Sequence, residues 1–316
     1  MGTTAKRLVE VSERFQLLLF PLSQTEKTSI AHLDHAEHHR STFWLLAFQA
    51  CSLGATNFLW ALSSIASSPL LSSSLSLTAL RNASLLPLQR TLLILPALLL
   101  GYWLPAALMS LPSPGVVSNA FQQWAIVAWN LYPLLVYALF RVFAAVVSVA
   151  SEKRTDAPPA ASTRGGHLKA VRLVSGVAIL VGFILHITVL TLAISSSLFP
   201  ALFNPSHASL LSLSSLFLPP LSIAQGKTIG DGVRGFMLWD QLAGYAVMLL
   251  VAVLELRTVV KARKWETNWM KSLGFVVFGY LLIRPGSTYL AIRWAGDEDL
   301  FEEGKDKKGV VMGKVK

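Results

Sequence analysis

The sequence predicts an all-α fold, a polytopic bundle of six to seven transmembrane helices in which one stretch is either a re-entrant segment or the seventh helix. Hydrophobic residues make up 53% of the 316 positions and charged residues only 14%, against about 25% charged in a soluble domain. Several apolar runs approach the roughly 20 residues with which a helix crosses a bilayer. Because backbone groups in hydrocarbon must bond to one another, these runs are expected to be helical.

Three regions follow one another along the chain. Residues 1–41 are polar and amphipathic, which is typical of a helix lying on the membrane surface. Residues 42–295 contain the apolar runs and are predicted to form the transmembrane bundle. Residues 296–316 form a charged tail that is expected to be mobile.

Six crossings are predicted within the bundle, one for each apolar run. They lie at about 42–64, 91–111, 121–150, 170–194, 233–256 and 272–292. Residues 195–232 are also apolar but are interrupted by prolines, which favours either a re-entrant segment or a weak seventh crossing. Lysine and arginine concentrate in the loops after the third and fifth crossings, which indicates that these loops face the cytosol.

Charge and composition exclude several classes of function. The net charge of +10 would suggest nucleic acid in a soluble domain, but here the basic residues lie between apolar runs and fit anionic lipid headgroups. The single cysteine, Cys51, excludes an internal disulfide and a cysteine-based zinc site. No Walker motif, nucleophile elbow, HExxH box or dinucleotide fingerprint occurs. No cofactor and no nucleic acid partner are therefore predicted.

A histidine cluster raises the question of a metal. His35, His38 and His39 match the HxxHH box of membrane di-iron desaturases. That chemistry needs several such boxes, and the whole chain has seven histidines, three of them scattered. A solvated or interfacial helix is the preferred interpretation, and no metal is predicted.

The fifth predicted crossing carries the strongest candidate for chemistry, Asp240. A carboxyl group inside a membrane helix costs about 3 kcal/mol, so it should face protein or trapped water. Shielding from water favours the neutral acid, which can donate a proton. The neighbouring Trp239 and Gln241 are predicted to contact the substrate.

Three further acid–base residues belong to the predicted bundle. Asp231, near the mouth of the same helix, either caps it or takes part in catalysis. His186 lies deep in the fourth crossing and either bonds a neighbouring helix or takes part in catalysis. Glu255 lies about 22 Å further along the helix than Asp240 and is expected to form an interfacial pair with Arg257.

Polar and aromatic residues of other crossings are predicted to bind the substrate. Arg284 interrupts the sixth crossing and needs a partner; an ion pair with Asp240 would keep that carboxyl group ionised and structural. Trp124, Asn130 and Tyr132 either line a cavity or form an interfacial belt. Aromatic faces can stabilise a carbocation by about 0.5–2 kcal/mol each.

Two stretches resemble a known group of proteins. They read FLPPLSIAQGKTIGDGVRGFMLWDQLAGY and, near the end, RPGSTYLAIRWAGDEDL. Together they resemble fungal integral-membrane proteins of secondary metabolism, a group of terpene cyclases of the ascofuranone type and epoxide hydrolases of the citreoviridin and aurovertin type. Residues 236–240 stand where the group has a Phe-Leu-Gln-Trp-Asp-like run. Residues 284–287 stand at its Gly-Pro-Gly-Ala-like turn, where Arg284 replaces a glycine.

The resemblance implies the opening of an epoxide on a lipophilic terpenoid, prenyl or polyketide chain. A protonated carboxylic acid would activate the epoxide oxygen, and an internal hydroxyl, an alkene or water would complete the ring opening without metal or nucleotide. The implied setting is the endoplasmic reticulum membrane, with membrane lipid and a pathway oxygenase as partners. The alternatives are a non-catalytic scaffold, transporter or accessory protein, and a lipid-modifying enzyme that uses the histidine cluster.

Overall fold

The described part of the chain is helical. The computed structural model describes residues 35–68, 71, 76–85, 88–152, 164–203, 211–222, 228–264 and 268–301, and no strand occurs within them. The first helices are α1 (His35–Cys51), α2 (Leu53–Ser67), α3 (Leu77–Ser84), α4 (Leu88–Leu92), α5 (Ile94–Leu98) and, after a π-helical turn at Leu99–Trp103, α6 (Leu104–Met109). The others are α7 (Asn119–Asn130), α8 (Tyr132–Glu152), α9 (Arg164–Leu198), α10 (Leu213–Phe217), α11 (Ile229–Ala262), α12 (Trp269–Ile283) and α13 (Pro285–Phe301). The all-α prediction is confirmed for these residues.

Within the described ranges, two helices are long and apolar enough to cross a membrane. They are α9, with 35 residues, and α11, with 34; each is roughly 50 Å long, against a hydrocarbon core of about 30 Å. A third candidate arises if α7 and α8, bent by 73° at their junction, count as one span. The predicted count of six to seven spans is therefore not confirmed.

Fewer spans are found than predicted because two of the predicted crossings are each divided into two helices. The first crossing is divided between α1 and α2 at Ser52, and the sixth is divided between α12 and α13 at Arg284. Both residues have a positive φ, 83° at Ser52 and 79° at Arg284, with ψ near 155°. That backbone region is nearly restricted to glycine and costs about 1–3 kcal/mol for other residues. Pro285 explains the second break, since proline disfavours helical conformation in the residue before it.

Helix α11 is the element on which both broken helices pack. The second halves of those helices, α2 and α13, each contact it along their length. The approach of α2 depends on two glycines. A Cβ at Gly244 would meet the Leu53 side chain and the Asn57 amide nitrogen, the latter at 3.2 Å, and a Cβ at Gly54 would lie 3.2 Å from Oδ1 of Asp240. Small residues therefore set the position of Asp240 against α2.

The last helix extends further than expected. Helix α13 continues past residue 296 to Phe301, and the side chains of Leu300 and Phe301 are buried. The Arg81 Nε–H donates to the Leu300 carbonyl at 2.7 Å, which ties α13 to α3. The predicted surface segment before residue 35 and the tail after residue 301 lie outside the described residues.

Candidate functional site

Asp240 lies in the interior, held by the backbone of α2. Its side chain is buried, with 9% exposed. Oδ2 accepts a hydrogen bond from the Leu53 N–H at 3.1 Å, and Oδ1 accepts one from the Gly54 N–H at 2.6 Å. These N–H groups belong to the first turn of α2, which has no partner for them within the helix. Asp240 therefore caps a helix that begins at the Ser52 break, 187 residues earlier in the chain.

Three buried tyrosines surround the same region of the bundle. Tyr102, Tyr132 and Tyr245 are each at most 3% exposed, and the rings of Tyr102 and Tyr132 meet edge to face with centroids 4.6 Å apart. Tyr245 lies close to Asp240 and to Arg284. Arg284 is itself buried, close to Tyr245 and Tyr102.

We call this set of residues the central cluster. Its members are Asp240, Arg284, Tyr102, Tyr132 and Tyr245. It joins α11 to the π-helical turn, to the start of α8 and to the Arg284 break. Tyr102 and Tyr245 were not among the residues selected from the sequence. The sequence feature that could have identified them is a hydroxyl group in the middle of an apolar run. This feature is weak evidence for a site, because tyrosine is common in membrane helices.

Asp231 and His186 lie outside the central cluster. Asp231 forms a capping box with Thr228: its Oδ2 accepts from the Thr228 N–H at 3.1 Å, and its own N–H donates to Thr228 Oγ1. His186 Nε2 lies 2.9 Å from the Leu281 carbonyl, which links α9 to α12, and its ring meets Phe217 edge to face. Each residue thus occupies the structural position weighed for it, and a catalytic role stays a prediction.

The predicted substrate-binding residues divide between the interior and the surface. Tyr132 is buried in the central cluster, whereas Trp124 is 72% exposed. Asn130 is exposed and accepts a hydrogen bond from the Gln49 amide at 3.0 Å. Trp239 is 46% exposed and donates to the Pro220 carbonyl at 2.9 Å. Gln241 is half-buried beside Asp240 in the chain.

A second group of buried charges lies further along α11, and sequence reasoning missed it. Glu255 forms an ion pair with Arg293 of α13, and both side chains are buried. Asp297, 3% exposed, follows Arg293 by one helical turn. We call these three residues the Glu255 cluster. The expected pairing of Glu255 with Arg257 is thus replaced by a pair with Arg293, because α13 packs on α11 at this level.

The described residues offer no metal site. They contain no group of three or more His, Cys, Asp or Glu side chains placed to hold a metal ion. The side chains of the HxxHH box, at positions 35–39, are outside the description.

The helical fold and its two long apolar helices are compatible with a membrane-associated helical protein. Comparison with known families then identifies the family. Residues 37–301 match the family described as the CtvD domain. The chain therefore belongs to the CtvD-domain family, a family of fungal secondary metabolism, and its role lies in the biosynthesis of fungal secondary metabolites. This confirms the broader part of the resemblance found in the sequence.

A curated relative is similar over a shorter stretch. One hundred residues are 28% identical to the FAD-dependent monooxygenase anuJ of Penicillium roqueforti (strain FM164), covering 32% of this chain and 12% of the relative. The aligned stretch is thus about an eighth of that protein. No solved structure matches the chain.

Proposed function

We propose that this protein opens an epoxide on a lipophilic terpenoid, prenyl or polyketide chain by proton donation from a carboxyl group within a membrane. The observation that carries the proposal is the burial of Asp240 in α11, an apolar helix long enough to cross a membrane, beside Tyr245. Membership of a fungal secondary-metabolism family supports the substrate class.

In the proposed reaction, Asp240 gives its proton to the epoxide oxygen while a C–O bond of the ring breaks. The N–H groups of Leu53 and Gly54 stabilise the carboxylate that remains. An internal hydroxyl or water attacks the carbon and releases a proton, which returns to Asp240. Where an alkene attacks, the carbocation that forms loses a proton from a neighbouring carbon, and this proton returns to Asp240. Charge on the opening oxygen is stabilised by Arg284 and by tyrosine hydroxyls that are already in place and need not reorganise.

The remaining predicted residues take supporting roles in this proposal. Tyr132 presents an aromatic face to positive charge that develops on carbon. The half-buried Gln241 and the exposed Trp239, Trp124 and Asn130 contact the lipophilic chain or the surrounding lipid. Asp231 caps the start of α11, and His186 links α9 to α12.

We place the protein in the endoplasmic reticulum membrane with six to seven crossings. The two long helices support this. The shorter apolar helices at Thr42–Cys51, Ile94–Met109 and Trp269–Ile283 would complete the count together with the helices that follow the breaks. A substrate of this class dissolves in the bilayer and reaches the bundle from lipid.

The substrate's chemistry also implies what must act before this protein. An epoxide on such a chain is made by inserting one oxygen atom into an alkene, which is monooxygenase chemistry. A stretch similar to this chain occurs within a protein described as an FAD-dependent monooxygenase. This supports a pathway oxygenase as the partner that supplies the epoxide.

One observation favours a second candidate function, that of a non-catalytic scaffold for such an oxygenase. Both oxygens of Asp240 cap α2, and this is a sufficient structural reason for a buried carboxyl group. A scaffold would consume no epoxide but would remain bound to its oxygenase when membranes are solubilised.

The proposal is tested with microsomes from a heterologous host that produces the full-length protein. Incubation with epoxidised prenyl and polyene chains should consume the epoxide and yield a cyclic ether, a carbocycle or a diol, which identifies the nucleophile. Host microsomes without the protein provide the baseline. Consumption at the baseline rate for every substrate, with the protein present and folded, would favour the scaffold.

A further inference from the structure

Helices α12 and α13 fold back on each other at Arg284. A Cβ added at Gly279, which precedes Arg284 by just over one helical turn, would lie 3.5 Å from the Cβ of Thr288, which follows Arg284 by about one turn. In a continuous helix, two residues this far apart in the chain would be separated by about 13 Å. The two helices therefore form a hairpin, and the segment that the sequence presents as a single crossing reverses its direction.

Helix α13 runs along α11 toward the end of that helix. Arg284, just before α13, lies close to Tyr245, which is in the middle of α11. The Glu255 cluster joins the two helices further on, and Leu300 packs with Val259 near the end of α11. Between Tyr245 and Val259, α11 rises by about 21 Å. The two helices are therefore parallel, and the tip of the hairpin lies at the level of the middle of α11.

Helix α12 runs the other way, from the end of α11 back to its middle. Lys264, just after α11, and Asn268, just before α12, are so close in the chain that at most about 14 Å separates them. The helix ends at Ile283, next to the tip. Its 15 residues measure about 22 Å, less than the roughly 30 Å of hydrocarbon in a bilayer. Both open ends of the hairpin therefore lie near the end of α11.

The tip of the hairpin is buried in protein. Non-helical backbone at membrane depth is tolerated only in such a position. Arg284 is 6% exposed, and Ser287 is fully buried. The Arg284 carbonyl accepts hydrogen bonds from the N–H and the hydroxyl group of Thr288, at 2.9 and 2.7 Å. The hairpin thus satisfies the backbone of its own turn and places the cation of the central cluster at its tip.

The open end of the hairpin lies at a face of the bundle where four helices meet. Leu300 and Phe301 of α13 pack with side chains of α3, of the start of α9 and of the end of α11. Several exposed basic residues lie at or near this face, and they are Lys169, Arg257, Lys261 and Lys264. Because lysine and arginine concentrate on the cytosolic side of membrane proteins, this face is assigned to the cytosol.

We propose that α12 and α13 form a re-entrant hairpin, which enters and leaves the membrane on the cytosolic side and carries Arg284 at its tip into the central cluster. The hairpin takes the place of the sixth crossing in the count given above, because the chain does not traverse the bilayer there. The connection between α11 and α12 and the chain beyond α13 then lie on the same side. This arrangement goes beyond the proposed epoxide opening and does not depend on it.

The first test closes the hairpin with a disulfide in the purified full-length protein, with Cys51→Ser as the background. Cβ atoms about 3.5–4.5 Å apart suit a disulfide, so Gly279→Cys/Thr288→Cys should lose both of its maleimide-reactive thiols on mild oxidation. Gly274→Cys/Thr288→Cys is the matched control and should keep them, because a Cβ at Gly274 meets nothing within 4 Å. Equal loss of thiols in the two pairs, or no loss in either, would overturn the proposal.

The second test determines on which side of the membrane the two open ends lie. Intact microsomes expose the cytosolic side, so a membrane-impermeant maleimide should label Lys264→Cys and Glu303→Cys, each made in the Cys51→Ser background, without detergent. Leu202→Cys is the control: this position is 81% exposed just beyond the far end of α9 and should be labelled only after solubilisation. A straight sixth crossing would protect Glu303→Cys. Protection of either Lys264→Cys or Glu303→Cys in intact microsomes would overturn the proposal.

Neither test uses an epoxide, so the two proposals fail separately. A hairpin in a protein that consumes no epoxide refutes the proposed function alone. Epoxide consumption by a protein whose two open ends lie on opposite sides refutes the hairpin alone.

Discussion

The central cluster and the Glu255 cluster lie on the same helix, and they hold their carboxyl groups in different ways. Asp240 is held by backbone N–H groups of α2, where glycines bring two helices into close contact. Glu255 is held by the side chain of Arg293, beside a cavity. The first carboxyl group organises a helix break, whereas the second forms a charge pair between α11 and α13. The structural role of a buried acid in α11 therefore depends on which helix packs against it.

The largest effect on stability is expected from breaking the Glu255–Arg293 pair. Glu255→Leu leaves a buried guanidinium without its carboxylate and should destabilise the fold by about 3–5 kcal/mol. The double variant Glu255→Leu/Arg293→Met should recover most of that loss, since well-packed apolar residues can replace a buried ion pair. Melting temperatures in detergent would measure both. A double variant as unstable as the single one would show that the pair is not the cause.

A smaller loss is expected where α2 meets α11. Gly244→Ala places a methyl group into the Leu53 side chain and should cost about 1–3 kcal/mol through overpacking. Gly274→Ala, on the open surface of α12, should instead leave the melting temperature unchanged or raise it. Equal melting temperatures for the two variants would mean that the close contact around Asp240 is not tight.

The smallest effect concerns acid stability at the end of α13. The pKa of Glu298 is held below its usual value of 4.5, chiefly by the hydrogen bond from Arg172. A lowered pKa means that the ionised group stabilises the fold above pH 4.5 and that this contribution is lost as the pH falls through the lower, folded value. Arg172→Gln should therefore reduce the decrease in melting temperature between neutral pH and pH 4 or below.

Lys169→Gln, which removes a positive charge from the same helix, serves as the control for that experiment. Because the Arg172–Glu298 pair is largely exposed, salt should diminish the effect. An acid response that is identical in wild type and Arg172→Gln would contradict the assigned cause of the Glu298 shift.

The long helices could be predicted from the sequence, because uninterrupted apolar runs identify α9 and α11 without any knowledge of their neighbours. The break at Arg284 had a local signal in Pro285. The break at Ser52 had none: no proline or glycine occupies that position, and its stabilising partner is Asp240, far away in the chain. The end of α13 was misplaced because its last turns are rich in acidic residues, while Leu300 and Phe301 are buried against side chains of α3, α9 and α11.

The candidate site was predictable only in part for the same reason. Burial of Asp240 followed from its apolar surroundings, but its hydrogen-bond partners depend on tertiary packing. The Glu255 cluster brings together Arg293, which follows the sixth predicted crossing, Asp297, which lies in the predicted tail, and Glu255 of α11, which has Arg257 nearby in the sequence. No local pattern distinguishes such a pair from an interfacial one.

The most direct test of the proposed chemistry compares epoxide consumption by Asp240→Asn and Asp299→Asn in microsomes that contain equal amounts of folded protein. Both variants replace a carboxyl group by an amide, but only Asp240 belongs to the central cluster. If Asp240 donates the proton, its variant should be at least about 100-fold slower, while Asp299→Asn stays close to wild type. Equal rates for the two variants would contradict the assignment of Asp240 as the acid.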